Sequence, residues 1–294
     1  MKNTKVLVIT YGYFGDIAFA SSLAFYLAKE YETVDYLIGF PQMRKLIMNN
    51  PYVNKVYVPS SPGPAPSTST TFKLSYDKVI QLGPLSFSKP PVIEYKEQAG
   101  IKDRSPDYKL YTDPNLDSAV ETLFTDLPED KKVIAIMNNW EEKSYTFTKE
   151  QYSAGIDVPN LGYGGAHRNT DRIISVLSDY FTILTVGVEG SNQHNTVNID
   201  DFDSKSILFE ASIMKYCNAF IGAEGGLCNI AAGVGTKTII TGDFIHQLYG
   251  WNGVLKQIEE PKLGPKHYFN DIDHVTLDPY LTDDEVIEQI KSLV

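Results

Sequence analysis

Cysteine and long apolar runs are both scarce in this chain of 294 residues. Cys217 and Cys228 are the only cysteines, and they lie in stretches typical of buried elements, so there is neither a disulfide framework nor the spacing of a zinc site. The apolar run over residues 6–9 is too short for a signal sequence, and no run is long enough to span a bilayer. We therefore expect a cytoplasmic protein with reduced thiols.

Positive charge is also in short supply. Lys and Arg number 26 against 37 Asp and Glu, which gives a formal net charge of −11. Because nucleic-acid affinity comes mainly from phosphate neutralisation by Lys and Arg, this balance opposes DNA or RNA as the main partner. Histidines such as His246 and His267 are isolated, and no His, Cys or carboxylate cluster has metal-site spacing, so we expect no metal and no cofactor.

Two series of apolar strands alternating with helices fill the chain. The first series of predicted strands covers 6–10, 34–38, 55–58 and 78–82, and the second covers 133–137, 181–186, 219–221 and 238–241. This alternation predicts an α/β protein with parallel sheets covered by helices. The polar, proline-containing stretch 126–132 is the predicted boundary, which gives an amino-terminal domain of residues 1–128 and a carboxy-terminal domain of residues 129–294. An amphipathic helix is predicted over 285–293, and the sequence leaves open whether it packs back on the amino-terminal domain.

A glycine-rich turn at the start of a short helix is the most informative feature. Gly225 and Gly226 follow an apolar strand and precede a helix of small residues. Glycine lets backbone N–H groups come close to a ligand, and a helix amino terminus favours negative charge. The turn is therefore interpreted as a phosphate site, with a tight turn that binds nothing as the alternative.

An aspartate follows the first predicted strand, at a second strand-to-helix junction. Residues 11–15 bring two glycines and three aromatic side chains to this junction, and Asp16 occupies the position of an N-cap. The carboxyl end of the first strand of a doubly wound sheet is also where such folds bind ligands. Asp16 is interpreted either as a simple helix cap or as a general base.

Two more polar turns follow predicted strands of the second series. Lys143 supplies a cation after the strand 133–137, where a phosphate would be met. Glu189 ends the turn after the strand 181–186 and is placed to accept hydrogen bonds from ribose hydroxyls, as acidic residues do in dinucleotide folds. A solvated lysine and an exposed turn glutamate are the alternatives.

Together these motifs resemble those of glycosyltransferase family nine, the family of the ADP-heptose lipopolysaccharide heptosyltransferases. The similarity rests on Gly15-Asp16-Ile17, residues 138–143, Gly187-Val188-Glu189 and residues 222–232, in this order. Residues 50–56 also resemble the family's Asn-Pro-Tyr-Val stretch. The resemblance implies a GT-B fold, in which two Rossmann-like domains with parallel sheets face each other across a cleft and the carboxy-terminal domain holds most of the nucleotide sugar.

The resemblance also implies an inverting, metal-independent transfer from a nucleotide-diphosphate sugar to a hydroxyl of a glycan or glycolipid, as in lipopolysaccharide biosynthesis. In that case Asp16 is the catalytic base, and Tyr13 and Gly15 lie on the acceptor side. The donor residues implied by the family motifs are Asn138, Asn139 and Lys143 at the phosphates, Glu189 at the ribose, and Glu224, Gly225, Gly226 and Asn229 in the last motif. There the family's usual aspartate and histidine are replaced by Glu224 and Asn229.

Three other functions remain open at this point. A nucleotide-sugar 2-epimerase shares the architecture and needs no acceptor. A sugar-nucleotide or glycan-binding protein without activity would also fit the substituted motif. A glycosyltransferase acting on modified DNA bases is opposed by the acidic composition. Peripheral contact with the inner membrane surface, through a glycolipid acceptor, is left open as well.

Overall fold

A computed structural model describes most of the chain. The described residues are 4–10, 12–59, 76–85, 91–105, 108–137, 169–187, 196–198, 206–222, 225–241, 274–277 and 281–294. Within these ranges no helix combines the length and the apolarity needed to cross a membrane. Both cysteines are buried, and neither forms a disulfide.

The first sheet has four parallel strands, as the alternating pattern predicts. They are β1 (Lys5–Thr10), β2 (Thr33–Leu37), β3 (Lys55–Tyr57) and β4 (Lys78–Leu82), in the order β3-β2-β1-β4. Strand β1 is central and is buried from Val6 to Thr10, which explains its continuous apolar run. The helices of this half are α1 (Phe14–Ser21), α2 (Leu23–Leu27), α3 (Arg44–Met48) after a short 3-10 turn, α4 (Pro91–Ala99) and α5 (Pro114–Thr125).

The second sheet has six parallel strands. They are β5 (Val133–Met137), β6 (Thr182–Val186), β7 (Thr196–Asn198), β8 (Ala219–Gly222), β9 (Thr238–Ile240) and β10 (His274–Thr276), in the order β10-β9-β8-β5-β6-β7. Counted from β5, this is the 3-2-1-4-5-6 order of a Rossmann fold, and the order reverses between β5 and β8. The helices are α6 (Thr170–Leu177), α7 (Ile207–Tyr216), α8 (Gly226–Gly233) and α9 (Asp283–Leu293).

The terminal helix α9 packs on the second sheet. Val286, Ile287 and Ile290 are buried in one apolar cluster with side chains of β5, β6 and α6. Arg172 of α6 forms an ion pair with Asp284 near the start of α9. The buried face of α9 therefore belongs to the carboxy-terminal half rather than to the amino-terminal domain.

The segment that joins the two sheets lies against helices of the second one. The Leu110 N–H donates to the Gly233 carbonyl at 2.7 Å, and the Tyr108 hydroxyl donates to the Asn229 carbonyl at 2.9 Å. Further along, Asp117 of α5 forms an ion pair with Lys215 of α7. One apolar cluster runs through side chains of both halves at this junction.

Candidate active site

Two helix amino termini meet at the ligand-binding edge of the fold. Helix α1 follows the carboxyl end of β1, and α8 follows the carboxyl end of β8. Each of these strands borders the point where the strand order of its sheet reverses, β1 beside β4 and β8 beside β5. In open α/β sheets, ligands bind in the crevice at these reversal points.

The approach of α1 to α8 is close enough to require glycine on both helices. A Cβ atom added to Gly15 would lie 2.3 Å from the side-chain nitrogen of Asn229, and one added to Gly226 would lie 2.9 Å from Cβ of Phe14. Real Cβ atoms do not come that near to neighbouring atoms. A larger residue at Gly226 would push the helices apart, because the Phe14 Cβ is fixed to the backbone, and a larger residue at Gly15 would displace the Asn229 amide. Gly226 is therefore needed for helix packing, and its role in ligand approach stays a prediction.

The meeting of the two helices concentrates N–H donors. The Ile17 N–H bonds to the Tyr13 carbonyl at 3.0 Å, and the Asn229 N–H bonds to the Gly225 carbonyl at 3.1 Å. In α8 the N–H groups ahead of Asn229 have no carbonyl acceptor within the helix, and the helix dipole presents its positive end. In α1 the Asp16 carboxylate already accepts the Tyr13 N–H, so an anion placed here would be stabilised mainly by the start of α8.

Asp16 is not the N-cap that its position in the sequence suggested. Tyr13 is the cap residue, and Asp16 lies in the first turn of α1, where its Oδ2 accepts the Tyr13 N–H at 2.8 Å. The correction follows from the two residues of helix before Asp16, which the sequence pattern did not reveal. The Tyr95 hydroxyl of α4 lies 3.4 Å from the other carboxylate oxygen. Gly12 has a φ of +112° and leaves room for the carboxylate, because a Cβ there would lie 2.3 Å from Oδ2.

The pKa of Asp16 is raised above the ordinary aspartate value. Burial is the largest cause, and it is partly opposed by hydrogen bonds from the Tyr13 N–H and the Tyr95 hydroxyl. The pKa of Tyr95 is raised as well, first by burial and then by the Asp16 charge, so Tyr95 stays protonated and donates. A carboxylate with a raised pKa is a stronger base in its ionised form.

Replacing Tyr95 with Phe is expected to move the acid limb of the pH profile to higher pH. The Tyr95 hydrogen bond lowers the pKa of Asp16, so its loss raises that pKa further. A base works only when ionised, so kcat/KM falls as the pH drops through its pKa, and this fall will begin at higher pH in Tyr95→Phe. Profiles measured with donor and acceptor will show it; a limb that stays in place or moves to lower pH contradicts the assignment.

The structure brings together six of the residues predicted for the site. Tyr13, Gly15 and Asp16 begin α1, and Gly225, Gly226 and Asn229 begin α8. Their proximity is a finding of the structure, whereas their roles stay predictions.

The other predicted donor residues, Asn138, Asn139, Lys143, Glu189 and Glu224, lie outside the described residues. The strands that precede them, β5, β6 and β8, all end at the same edge of the second sheet.

Sequence reasoning missed Tyr95 and Glu210. The signal for Tyr95 was Pro91 at a helix start followed by apolar residues at Val92, Tyr95 and Ala99, which share one helical face and are buried. Glu210 of α7 accepts the Gly187 N–H at 3.1 Å, directly after β6 and two residues before the predicted ribose residue in the sequence. No local pattern marks that contact, because the two residues are brought together only by the fold.

The described ranges contain no group of three or more His, Cys, Asp or Glu side chains able to hold a metal ion.

By sequence, the chain matches no protein-family model and no curated protein. By structure, it is similar over its whole length to a glycosyltransferase of family 9 from Veillonella parvula, with a TM-score of 0.66, 13% identity and coverage of 100% of this chain and 98% of that one. The chain has the GT-B fold.

Two enzymes of E. coli share this GT-B fold. ADP-heptose LPS heptosyltransferase II gives a TM-score of 0.55 at 14% identity, over 99% of this chain and 98% of that one. The heptosyltransferase WaaC with ADP-2-deoxy-2-fluoro heptose gives 0.52 at 11% identity, over 99% and 100%. The fold that the sequence motifs predicted, through their resemblance to family nine, is thus confirmed.

Proposed function

We propose that this GT-B protein is a glycosyltransferase that moves a sugar from a nucleotide-diphosphate donor to a hydroxyl of a glycan or glycolipid. One observation carries the proposal. A carboxylate with a raised pKa, Asp16, lies in the first turn of one helix where the amino terminus of a second helix meets it. The transfer needs both parts, a base for the acceptor proton and positive dipoles for the departing diphosphate.

The proposed reaction is a single displacement with inversion. Asp16 accepts the proton of the acceptor hydroxyl while that oxygen bonds to the anomeric carbon. The bond from the anomeric carbon to the diphosphate oxygen breaks, and its electron pair leaves with the nucleoside diphosphate. The N–H groups at the start of α8 stabilise the negative charge that develops there, which requires no metal ion.

The donor contacts are assigned within the same proposal. Lys143 neutralises phosphate charge with the help of Asn138 and Asn139, Glu189 accepts from the ribose, and the last motif, from Glu224 to Asn229, lies along the diphosphate and the sugar. One of the similar E. coli enzymes is named for ADP-heptose, and the structure of the other is that of the enzyme with ADP-2-deoxy-2-fluoro heptose, so ADP and ADP-heptose are the first donor probes to use.

A ligand screen by thermal unfolding tests the donor site. A ligand that binds only the folded state at about 100 times its Kd stabilises by about 2.7 kcal/mol, so the right nucleoside diphosphate will raise Tm. ADP, UDP, GDP and CDP and their sugars form the screen, and Lys143→Ala is expected to lose most of the shift. If none of them raises Tm, the donor assignment is wrong.

Product analysis then separates the remaining functions. The donor alone and the donor with a panel of glycan acceptors are incubated with the protein, and sugars are followed by mass spectrometry and NMR. A transferase forms a new glycoside only with an acceptor, and an inverting one reverses the anomeric configuration. A sugar altered without acceptor would indicate an epimerase, and tight binding with no product a binding protein; either result overturns the proposal.

A further inference from the structure

The segment that joins the two sheets places a tyrosine in contact with both helices of the candidate site. The ring of Tyr108 packs on Phe19 of α1, with centroids 5.0 Å apart and an interplanar angle of 50°. Its hydroxyl donates to the Asn229 carbonyl of α8 at 2.9 Å. Burial raises the pKa of Tyr108 well above the ordinary tyrosine value, so the hydroxyl keeps the proton that it donates. One side chain therefore links a helix of each half.

A second hydrogen bond of the same segment holds Tyr108 against α8. The Leu110 N–H donates to the carbonyl of Gly233, which ends α8 about one helical turn beyond Asn229. A Cβ on Gly233 would lie 2.6 Å from Cγ of Leu110 and 2.8 Å from Cε1 of Tyr108, so the segment lies directly on the helix. Tyr108 is therefore fixed to α8 through Leu110 as well as through its own hydroxyl.

The two helices that Tyr108 links carry the two parts of the proposed reaction. Phe19 lies about one turn beyond Asp16 in α1, and Asn229 lies about one turn beyond Gly226, the first residue of α8. The base belongs to the amino-terminal half, whereas the predicted donor residues all belong to the carboxy-terminal half. A change in the spacing of α1 and α8 would therefore alter the distance from the base to the donor while the donor residues keep their own arrangement.

We propose that Tyr108 is a positioning residue, which fixes the spacing of α1 and α8 and so the distance from Asp16 to the bound donor. This inference rests on the proposed function and adds a residue that acts on the transfer step rather than on donor binding. The contacts at Gly15 and Gly226 set how closely the two helices can approach. The Tyr108 hydrogen bond opposes their separation, and a displacement of about 1 Å at reacting groups can cost about 100-fold in rate.

A tyrosine of the amino-terminal half supplies the matched control. Tyr36 of β2 is fully buried, and its hydroxyl donates to the Ala20 carbonyl of α1 at 3.0 Å. Tyr36→Phe therefore removes the same kind of hydrogen bond as Tyr108→Phe, from a buried tyrosine to a helix carbonyl. Both partners of the Tyr36 bond lie in one half, so this variant reports the loss of such a bond where it does not join α1 to α8.

Kinetics and calorimetry of Tyr108→Phe test the proposal. The kinetics use the donor and acceptor that form product with the unaltered protein, and the calorimetry uses ADP and UDP. We expect kcat to fall at least about tenfold, because the bond that holds α8 is lost while the ring still packs on Phe19. The donor KM and the Kd of the nucleoside diphosphate should stay within about twofold, as for an interaction needed only in the transition state. Tyr36→Phe should keep its kcat within about twofold.

The outcomes separate this proposal from the proposed function. If Tyr108→Phe keeps the kcat of Tyr36→Phe, or if its diphosphate affinity falls along with kcat, Tyr108 does not act by positioning the helices. Either result overturns only the role of Tyr108, because product formed by the unaltered protein still supports the transferase. If no donor and acceptor give product with the unaltered protein, the proposed function fails, and the positioning role fails with it.

Discussion

Asp16→Asn is expected to reduce turnover by about 10²–10⁴-fold while leaving nucleoside diphosphate binding nearly unchanged, because a positioned general base contributes about that factor. Asparagine keeps an oxygen that can accept the Tyr13 N–H, so the first turn of α1 should be preserved. The measurements are kcat under saturating donor and acceptor and diphosphate affinity by calorimetry. Turnover equal to that of the unaltered protein would refute the base assignment.

The stability of Asp16→Asn provides an internal control. Because burial raises the pKa of Asp16 in the folded state, the folded protein holds this proton more tightly than the unfolded chain does. Protonation of Asp16 therefore stabilises the folded protein at low pH, and this stabilisation is lost as the pH rises through the raised pKa. Above that pKa the ionised, buried carboxylate lowers the free energy of unfolding. The variant should therefore unfold at an equal or higher urea concentration at pH 7, which is common for groups kept for activity. A large loss of stability would mean that Asp16 is mainly a structural cap.

Gly15→Ala is expected to lower the unfolding free energy by about 1–3 kcal/mol and to reduce turnover by about 100-fold. The new Cβ would lie 2.3 Å from the Asn229 side-chain nitrogen, so the buried Asn229 amide must move or α1 and α8 must separate, and overpacking of a buried contact has about this cost. A displacement of about 1 Å at reacting groups is enough for the loss of rate. Urea unfolding and steady-state kinetics measure the two effects.

A double-mutant cycle shows whether the cause is the contact itself. Asn229→Ala removes the opposing amide, so the doubly substituted protein should recover most of the stability lost in Gly15→Ala, with a coupling of about 1 kcal/mol or more. Gly83→Ala is the matched control, because its Cβ would meet only Gln98 Oε1 at 3.9 Å. Additive effects, or an equal loss in Gly83→Ala, would show that helix separation is not responsible.

The strands that sequence predicted best are the buried parallel ones. The runs that became β1 and β5 are continuous and apolar because both faces are covered, and no other element gives that signal at that length. The strands β7 and β10 were missed, since each has a single apolar residue, whereas the equally short β3 and β9 each have two. Apolar residues at helical spacing continue from Ile17 to Ala28, but the structure divides this stretch between α1 and α2, and Ser22 between them bonds its hydroxyl to the Phe19 carbonyl.

The candidate site was predictable in its parts but not in its assembly. Asp16 and Gly226 could be predicted from their own segments, because each lies where a strand is followed by a helix, and such helix starts bind ligands in α/β folds. The contact between Gly15 and Asn229 joins residues of different halves, and only the packing of α1 on α8 reveals it. Tyr95 is similar, since its link to Asp16 depends on where α4 lies relative to α1.

The attachment of the joining segment to the second half affects how the protein should be divided for separate expression. Val120 of α5 is fully buried, Asp117 pairs with Lys215, and Leu110 hydrogen-bonds to the end of α8. A carboxy-terminal fragment begun at residue 129 would expose the surface that these residues cover. The matching amino-terminal fragment, ending at residue 128, would carry α5 without the helices that it packs against. A cut ahead of residue 108 would keep these contacts within the carboxy-terminal fragment.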